Sequence, residues 1–129
     1  MWFRVDNRLV HGQVIEAWLP YTGAKHLVVA NDELAGDFIR QQIIELAVPH
    51  QIKTHFISLK ELAVTLDTCG DDCFVLFANC QDARRACDAG IFMSARPTPR
   101  RSFVPFAAGA EKGRALCIPC PAARFRRAL

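Results

Sequence analysis

Apolar residues arrive in short bursts over the first two thirds of this chain, and the bursts are of two kinds. Residues 2–5, 26–31, 53–58 and 74–78 are strand-length apolar runs, the middle ones rich in β-branched residues or Phe, and residues 91–93 form a weaker one. Helical spacing fills the gaps. Residues 12–19 form the first candidate helix, with Pro20 expected to end it early. Residues 35–47 form the second, with Ile39, Ile43, Leu46 and Ala47 on one face and Pro49 just beyond. The third starts at Ser58, where Ser58-Leu59-Lys60-Glu61 has capping-box spacing, and runs to about Leu66. The fourth covers residues 82–89, with Gly90 as its stop. Strand–helix alternation at this spacing predicts an α/β fold: an open, mainly parallel sheet with helices on both faces.

The alternation stops near Met93, and the charge changes there too. Of the 129 residues, 1–93 hold eight basic and twelve acidic groups, a net −4, whereas 94–129 hold eight basic groups against Glu111 alone, a net +7. Five of the seven prolines also lie beyond Met93. This divides the chain into an α/β domain, 1–93, and an irregular basic Pro/Arg-rich tail, 94–129, in which no regular element is expected.

Ligands in parallel α/β sheets gather where strands end at their carboxyl side. Asp6 to His11, Asn31, Asp32 and Asn79 all follow expected strands, which places them on one rim. Asn31, Asp32 and Asn79 also suit helix caps or turns. The richest stretch is Asp6-Asn7-Arg8-Leu9-Val10-His11-Gly12-Gln13-Val14. His11 falls between a strand and a helix start, whose backbone N–H groups and dipole favour an anion. Arg8 brings a forked positive charge to the same place. Gly12 lets backbone approach a ligand without a Cβ. Asp6 has two readings, a carboxylate that fixes the His11 tautomer or a turn-forming Asx residue. An imidazole in this setting suits a histidine that accepts a phosphoryl group, with positive electrostatics at Arg8 and the Gly12 and Gln13 amides.

The run from Arg4 to Val14, followed by Ala17-Trp18, resembles the start of the IIB component of the mannose/fructose/sorbose family of sugar phosphotransferase systems. His26-Leu27-Val28-Val29-Ala30-Asn31-Asp32-Glu33 and Phe74-Val75-Leu76-Phe77-Ala78-Asn79 resemble that family's second and fourth strands. The resemblance runs to about Met93. It implies a transferase that takes phosphate on His11 from a IIA partner and passes it to a sugar brought in by the membrane components IIC and IID, with no cofactor. A non-catalytic regulatory protein that keeps the loop, or a defective product, are the competing readings. Family members are longer than this chain, so the resemblance implies a sheet incomplete at its C-terminal end. The coincidence of charge flip, proline cluster and lost resemblance suggests that residues from about Ser94 onward come from a reading-frame change.

Other features narrow the field. No apolar run has membrane-spanning length and no signal peptide is indicated, so the expected location is cytoplasmic, at most peripheral to the membrane through transporter partners. The six cysteines are then expected to be reduced. Cys117-Ile118-Pro119-Cys120 has the spacing of a metal or redox pair but no matching second pair, so no metal is expected. His26, His50 and His55 read as structural or surface residues. Trp18 reads as core or partner-facing. The basic tail carries no nucleic-acid motif, and no nucleic-acid partner is expected.

Overall fold

The computed structural model describes residues 1–91 and the strand Ser102–Phe103. Five strands, β1 (Trp2–Val5), β2 (His26–Ala30), β3 (Lys53–Ile57), β4 (Cys73–Phe77) and β5 (Ser102–Phe103), form one sheet in the order β3-β2-β4-β1-β5. Every pairing is parallel. All of β4 is buried, as an apolar run in the middle of a two-sided sheet must be. The open parallel α/β sheet expected from the sequence is therefore the fold.

Alternating strand residues feed two cores. Phe3, Val28, Val75 and Phe77 pack on one face with Leu62, Leu66, Ala83 and Ala86. Leu27, Val29, Phe74 and Leu76 pack on the other with Val14, Leu19, Leu34 and Val48. Each large apolar side chain removed from water in this way contributes about 1.5–3 kcal/mol before cavity effects. The helices after β1 and β2 thus cover one face, and those after β3 and β4 the other. Neighbouring β1 and β4 send their chains to opposite faces, which opens a crevice at their carboxyl ends.

The helices depart from the sequence reading in instructive ways. The first does not stop at Pro20. A π-helical turn, Val14–Trp18, runs directly into α1 (Leu19–Thr22), and the Leu19 N–H bonds to the Val14 carbonyl five residues back. A proline in an α-helix clashes with the carbonyl four residues earlier; the wider π turn just before Pro20 relieves that conflict. The expected helix 35–47 is two: α2 (Asp32–Ala35) and α3 (Phe38–Ala47), separated by Gly36 and Asp37. Asn31 caps the first, accepting from Leu34 N–H at 2.8 Å, and Asp37 caps the second, accepting from Arg40 N–H at 3.1 Å. The face of α3 expected to be buried is outward instead, with Ile39, Ile43 and Leu46 exposed. Ile44 and Val48 make the core contact, and the Gln41 side-chain amide donates to the Leu34 and Ala35 carbonyls, turning the helix that way.

The third helix begins as expected. The Glu61 carboxylate accepts from the Ser58 N–H and hydroxyl at 3.0 and 2.9 Å, and a 3-10 turn, Leu59–Glu61, leads into α4 (Leu62–Cys69). Helix α5 (Cys80–Asp88) is capped by Asn79, and Gly90, with φ of 75°, turns the chain after it. Ile91 is buried with helical backbone, not the start of a strand, and the rest of the expected strand 91–93 lies outside the described residues. The tail was expected to hold no element, yet β5 lies within it and runs beside β1, Trp2 against Ser102 and Phe3 against Phe103. The remainder of 94–129, with the reading-frame question and the Cys117–Cys120 pair, lies outside the described residues. Among the described residues no helix is long and apolar enough to cross a membrane.

Candidate active site

The site grows from the end of β1. Arg4 and Asp6 are two residues apart, so both side chains project to the same face. Both are buried, with Asp6 wholly excluded from solvent. Arg4 Nη2 donates to Asp6 Oδ2 at 3.1 Å, and its guanidinium sits 4.5 Å over the Trp18 ring. Trp18 is half-buried, packs against the core of that face and meets Tyr21 edge-on, so its core reading is met on one side of the ring.

Asp6 then organises the loop. Its N–H donates to the Phe77 carbonyl of β4 at 2.8 Å, and its carbonyl accepts from Leu9 N–H at 2.9 Å. Its Oδ1 accepts from the Arg8 backbone N–H at 3.1 Å. Its Oδ2 lies 2.9 Å from His11 Nε2. The two readings of Asp6 are both realised: one oxygen closes an Asx turn and the other holds the imidazole. Burial alone would raise the Asp6 pKa. The hydrogen bonds from His11, the Arg8 amide and Arg4 outweigh it, and the carboxyl is held below its ordinary value. An ionised carboxylate is acceptor-only, so Nε2 carries the proton and donates it. Nδ1 is then the ring nitrogen with the lone pair.

Leu9 takes the left-handed conformation, φ 54°, unusual for a non-glycine residue, while its side chain is buried among Val14, Leu27 and Phe74. Core packing thus holds the turn that brings His11 back over Asp6. The His11 carbonyl accepts from Val14 and Ile15 N–H, so the histidine also heads the helix. Its imidazole is 16 % exposed, enough for one edge to meet a reactant. Arg8 is 61 % exposed, its Nε 3.7 Å from Asp6 Oδ1, leaving most of the guanidinium on the solvent side. Gly12 and Gln13 are exposed at the helix start, and a Cβ placed on Gly12 would meet open space. Among the described residues no contact requires glycine there.

Other residues on this rim do not join His11. Asn31 and Asn79 accept from Leu34 and Asp82 N–H as caps, and Asp32 Oδ1 accepts from Leu59 N–H at 2.9 Å. Arg4 is the member that sequence reasoning overlooked. The available signal was an Arg–x–Asp pair at strand spacing in a strand flanked by apolar neighbours. Elsewhere, His26 at the amino end of β2 and His55 in the middle of β3 stack, with Cys69 beside them. The nearby Cys73 thiol is buried, and burial together with Cys69 pushes its pKa up to about 12.

A parallel sheet with a buried carboxylate presenting a histidine at a strand's carboxyl end defines an α/β protein of the strand-rim type. The chain belongs to the PTS system sorbose subfamily IIB component family, whose model matches residues 1–95. It is 34% identical over 82 residues to the sorbose-specific EIIB component of Klebsiella pneumoniae, covering 61% of this chain and 50% of that protein. It is 28% identical over 91 residues to the mannose-specific EIIAB component of Escherichia coli (strain K12), covering 68% of this chain and 28% of that protein. The chain therefore spans half or less of the length of these relatives. Among solved structures it is similar to an N-acetyl-galactosamine IIB component from Streptococcus pyogenes, with a TM-score of 0.66 at 27% identity, covering 70% of this chain and 57% of the other. The sorbose permease IIB domain of Klebsiella pneumoniae superposes with a TM-score of 0.62 at 27% identity, covering 70% and 59%.

Proposed function

We propose that this chain is a phosphocarrier that accepts a phosphoryl group on His11 Nδ1 from a phosphohistidine of a IIA-type donor and passes it to a sugar hydroxyl. The observation that carries the reading is the 2.9 Å contact of His11 Nε2 with a buried, ionised Asp6. It favours the proton on Nε2 and leaves Nδ1 of the neutral ring as the nucleophile. The Nδ1 lone pair forms the new N–P bond as the donor's N–P bond breaks, and the donor imidazole keeps the electron pair. The phosphorylated His11 ring, still protonated on Nε2, is cationic, and the Asp6 charge beneath it offsets that charge. In the second transfer a sugar oxygen takes the phosphoryl group, the hydroxyl proton leaves to water, and His11 returns neutral. Arg8 and the Gly12 and Gln13 amides are the groups that would stabilise the charge gathering on the equatorial phosphoryl oxygens. The name EIIAB of a relative supports a IIA donor, and IIC and IID membrane components complete the proposed path. Relatives named for mannose, sorbose and N-acetylgalactosamine leave the sugar open.

The test is incubation with a phosphorylated IIA domain, followed by mapping of acid-labile phosphate and NMR assignment of the modified nitrogen. Phosphate on His11 Nδ1, lost in His11→Ala with the fold intact, is the expected result. Phosphate on His26, His50 or His55, or on Nε2 of His11, overturns the assignment.

A further inference from the structure

At the end of the sheet opposite His11, three ligand-type side chains from three elements meet. His26 opens β2, His55 lies on β3 and Cys69 closes α4. His26 Nδ1 is 3.1 Å from His55 Nε2, and Cys69 Sγ is 3.7 Å from the same nitrogen. One donor atom from each residue lies within 4.8 Å of the other two. We propose that His26, His55 and Cys69 form a binding site for a zinc-type divalent cation, with water in the fourth position.

Four arguments support the assignment. Tetrahedral zinc with ordinary bond lengths sets its ligands about 3.3 Å apart for two nitrogens and about 3.6 Å for nitrogen and sulfur. The two separations here lie close to those edges, and the third pair of donor atoms is within 4.8 Å. The donor set, two imidazoles and a thiol, selects zinc or a softer late transition metal over magnesium or calcium, which take oxygen ligands. The register explains how the set is built. His26 and Lys53 are paired across β2 and β3, so His55, two residues on, shares a face with His26. The C-terminal turn of α4 brings Cys69 over that face, where Leu66 anchors the helix in the core. All three residues are half-buried, shielded from bulk water yet open to an entering ion. Cys73 stays outside the set: its thiol is buried and donates to the Gly70 carbonyl at 3.2 Å. Binding exchanges the Cys69 thiol proton for a metal–sulfur bond and releases the proton to solvent. The bound ion would staple β2, β3 and α4 together roughly 15 Å, one strand length, from the phosphoryl site.

The experiment measures alkylation of individual cysteines in the full chain by mass spectrometry, with and without Zn2+. At about 100 µM Zn2+, Cys69 is expected to react about tenfold more slowly, as a dissociation constant of about 10 µM demands, while Cys80 and Cys87 keep their rates. The melting temperature should rise in parallel. His26→Gln should abolish the Cys69 protection, and a Cys117→Ser/Cys120→Ser chain should retain it. Equal Cys69 rates with and without Zn2+ in the wild type overturn the proposal without recourse to any variant. Protection that disappears in Cys117→Ser/Cys120→Ser but survives in His26→Gln assigns the ion to the tail and overturns it as well.

Discussion

Asp6 is the residue on which the site turns, since Arg4, Arg8 and His11 all bond to its two carboxylate oxygens. Asp6→Asn keeps the shape but removes a carboxylate charge that is paired with a buried guanidinium. Breaking a buried pair from one side costs about 3–5 kcal/mol, so denaturant unfolding should register a loss of that order. A loss below about 1 kcal/mol would mean that the pair adds little as an ion pair. The same group sets an acid limit. Its pKa is lowered in the folded chain, so its contribution is complete above the ordinary carboxylate value and is lost as pH falls through the lower folded value. A stability–pH profile should show this acid slope in the wild type and a shallower one in Asp6→Asn. At Gly12 the expectation is reversed. A Cβ meets nothing there, so Gly12→Ala should change stability by no more than about 0.5 kcal/mol. On the proposal that the Gly12 amide helps hold the phosphoryl group, the added methyl should slow transfer by crowding its approach; unchanged single-turnover rates would exclude that crowding. His11, Arg8, Asp6, Gly12 and Gln13 are legible in the sequence because they lie on one short loop. Arg4 is not, since a charged strand residue ordinarily reads as solvent-facing, and its burial rests on contacts with Asp6 and Trp18 that the pattern does not announce.

Helix α3 shows what pattern alone cannot decide. Its residues offer two apolar stripes, and the sequence favours the richer one, Ile39, Ile43 and Leu46. The structure buries the poorer one, because Gln41 must reach the end of α2 and Ile44 and Val48 must meet the sheet. Ile43→Glu should therefore leave stability within about 0.5 kcal/mol, while Ile44→Ala should cost about 1–2 kcal/mol for the contact it loses. Matched urea titrations decide the point, and the opposite order would return the helix to the orientation the pattern favours. Strand positions were more legible than helix bounds, since apolar runs buried on both faces have few alternatives. The break at Gly36 and Asp37 escaped notice because the apolar spacing carries through it. The continuation past Pro20 escaped because a π turn leaves no separate mark in the residue pattern.

At the scale of the molecule, residues 1–91 and the strand Ser102–Phe103 build a sheet with β1 between β4 and the two-residue β5. The compositional break near Met93 invites a test in the coding DNA. If an alternative frame beyond the Met93 codon restores strand–helix alternation, the basic tail is an accident, and restoring that frame should raise both melting temperature and transfer rate. If every other frame is nonsense, the tail is native and β5 is part of its design. The bond from the Asp6 amide to the Phe77 carbonyl has a consequence of its own. The histidine loop is synthesised well before β4, yet its anchor is made only when β4 arrives, after β2 and β3 and their helices. Such distant pairing is slow to close. A chain arrested on the ribosome before β4 would carry His11 without a fixed tautomer or a buried counter-charge, and so would be translated long before it could react.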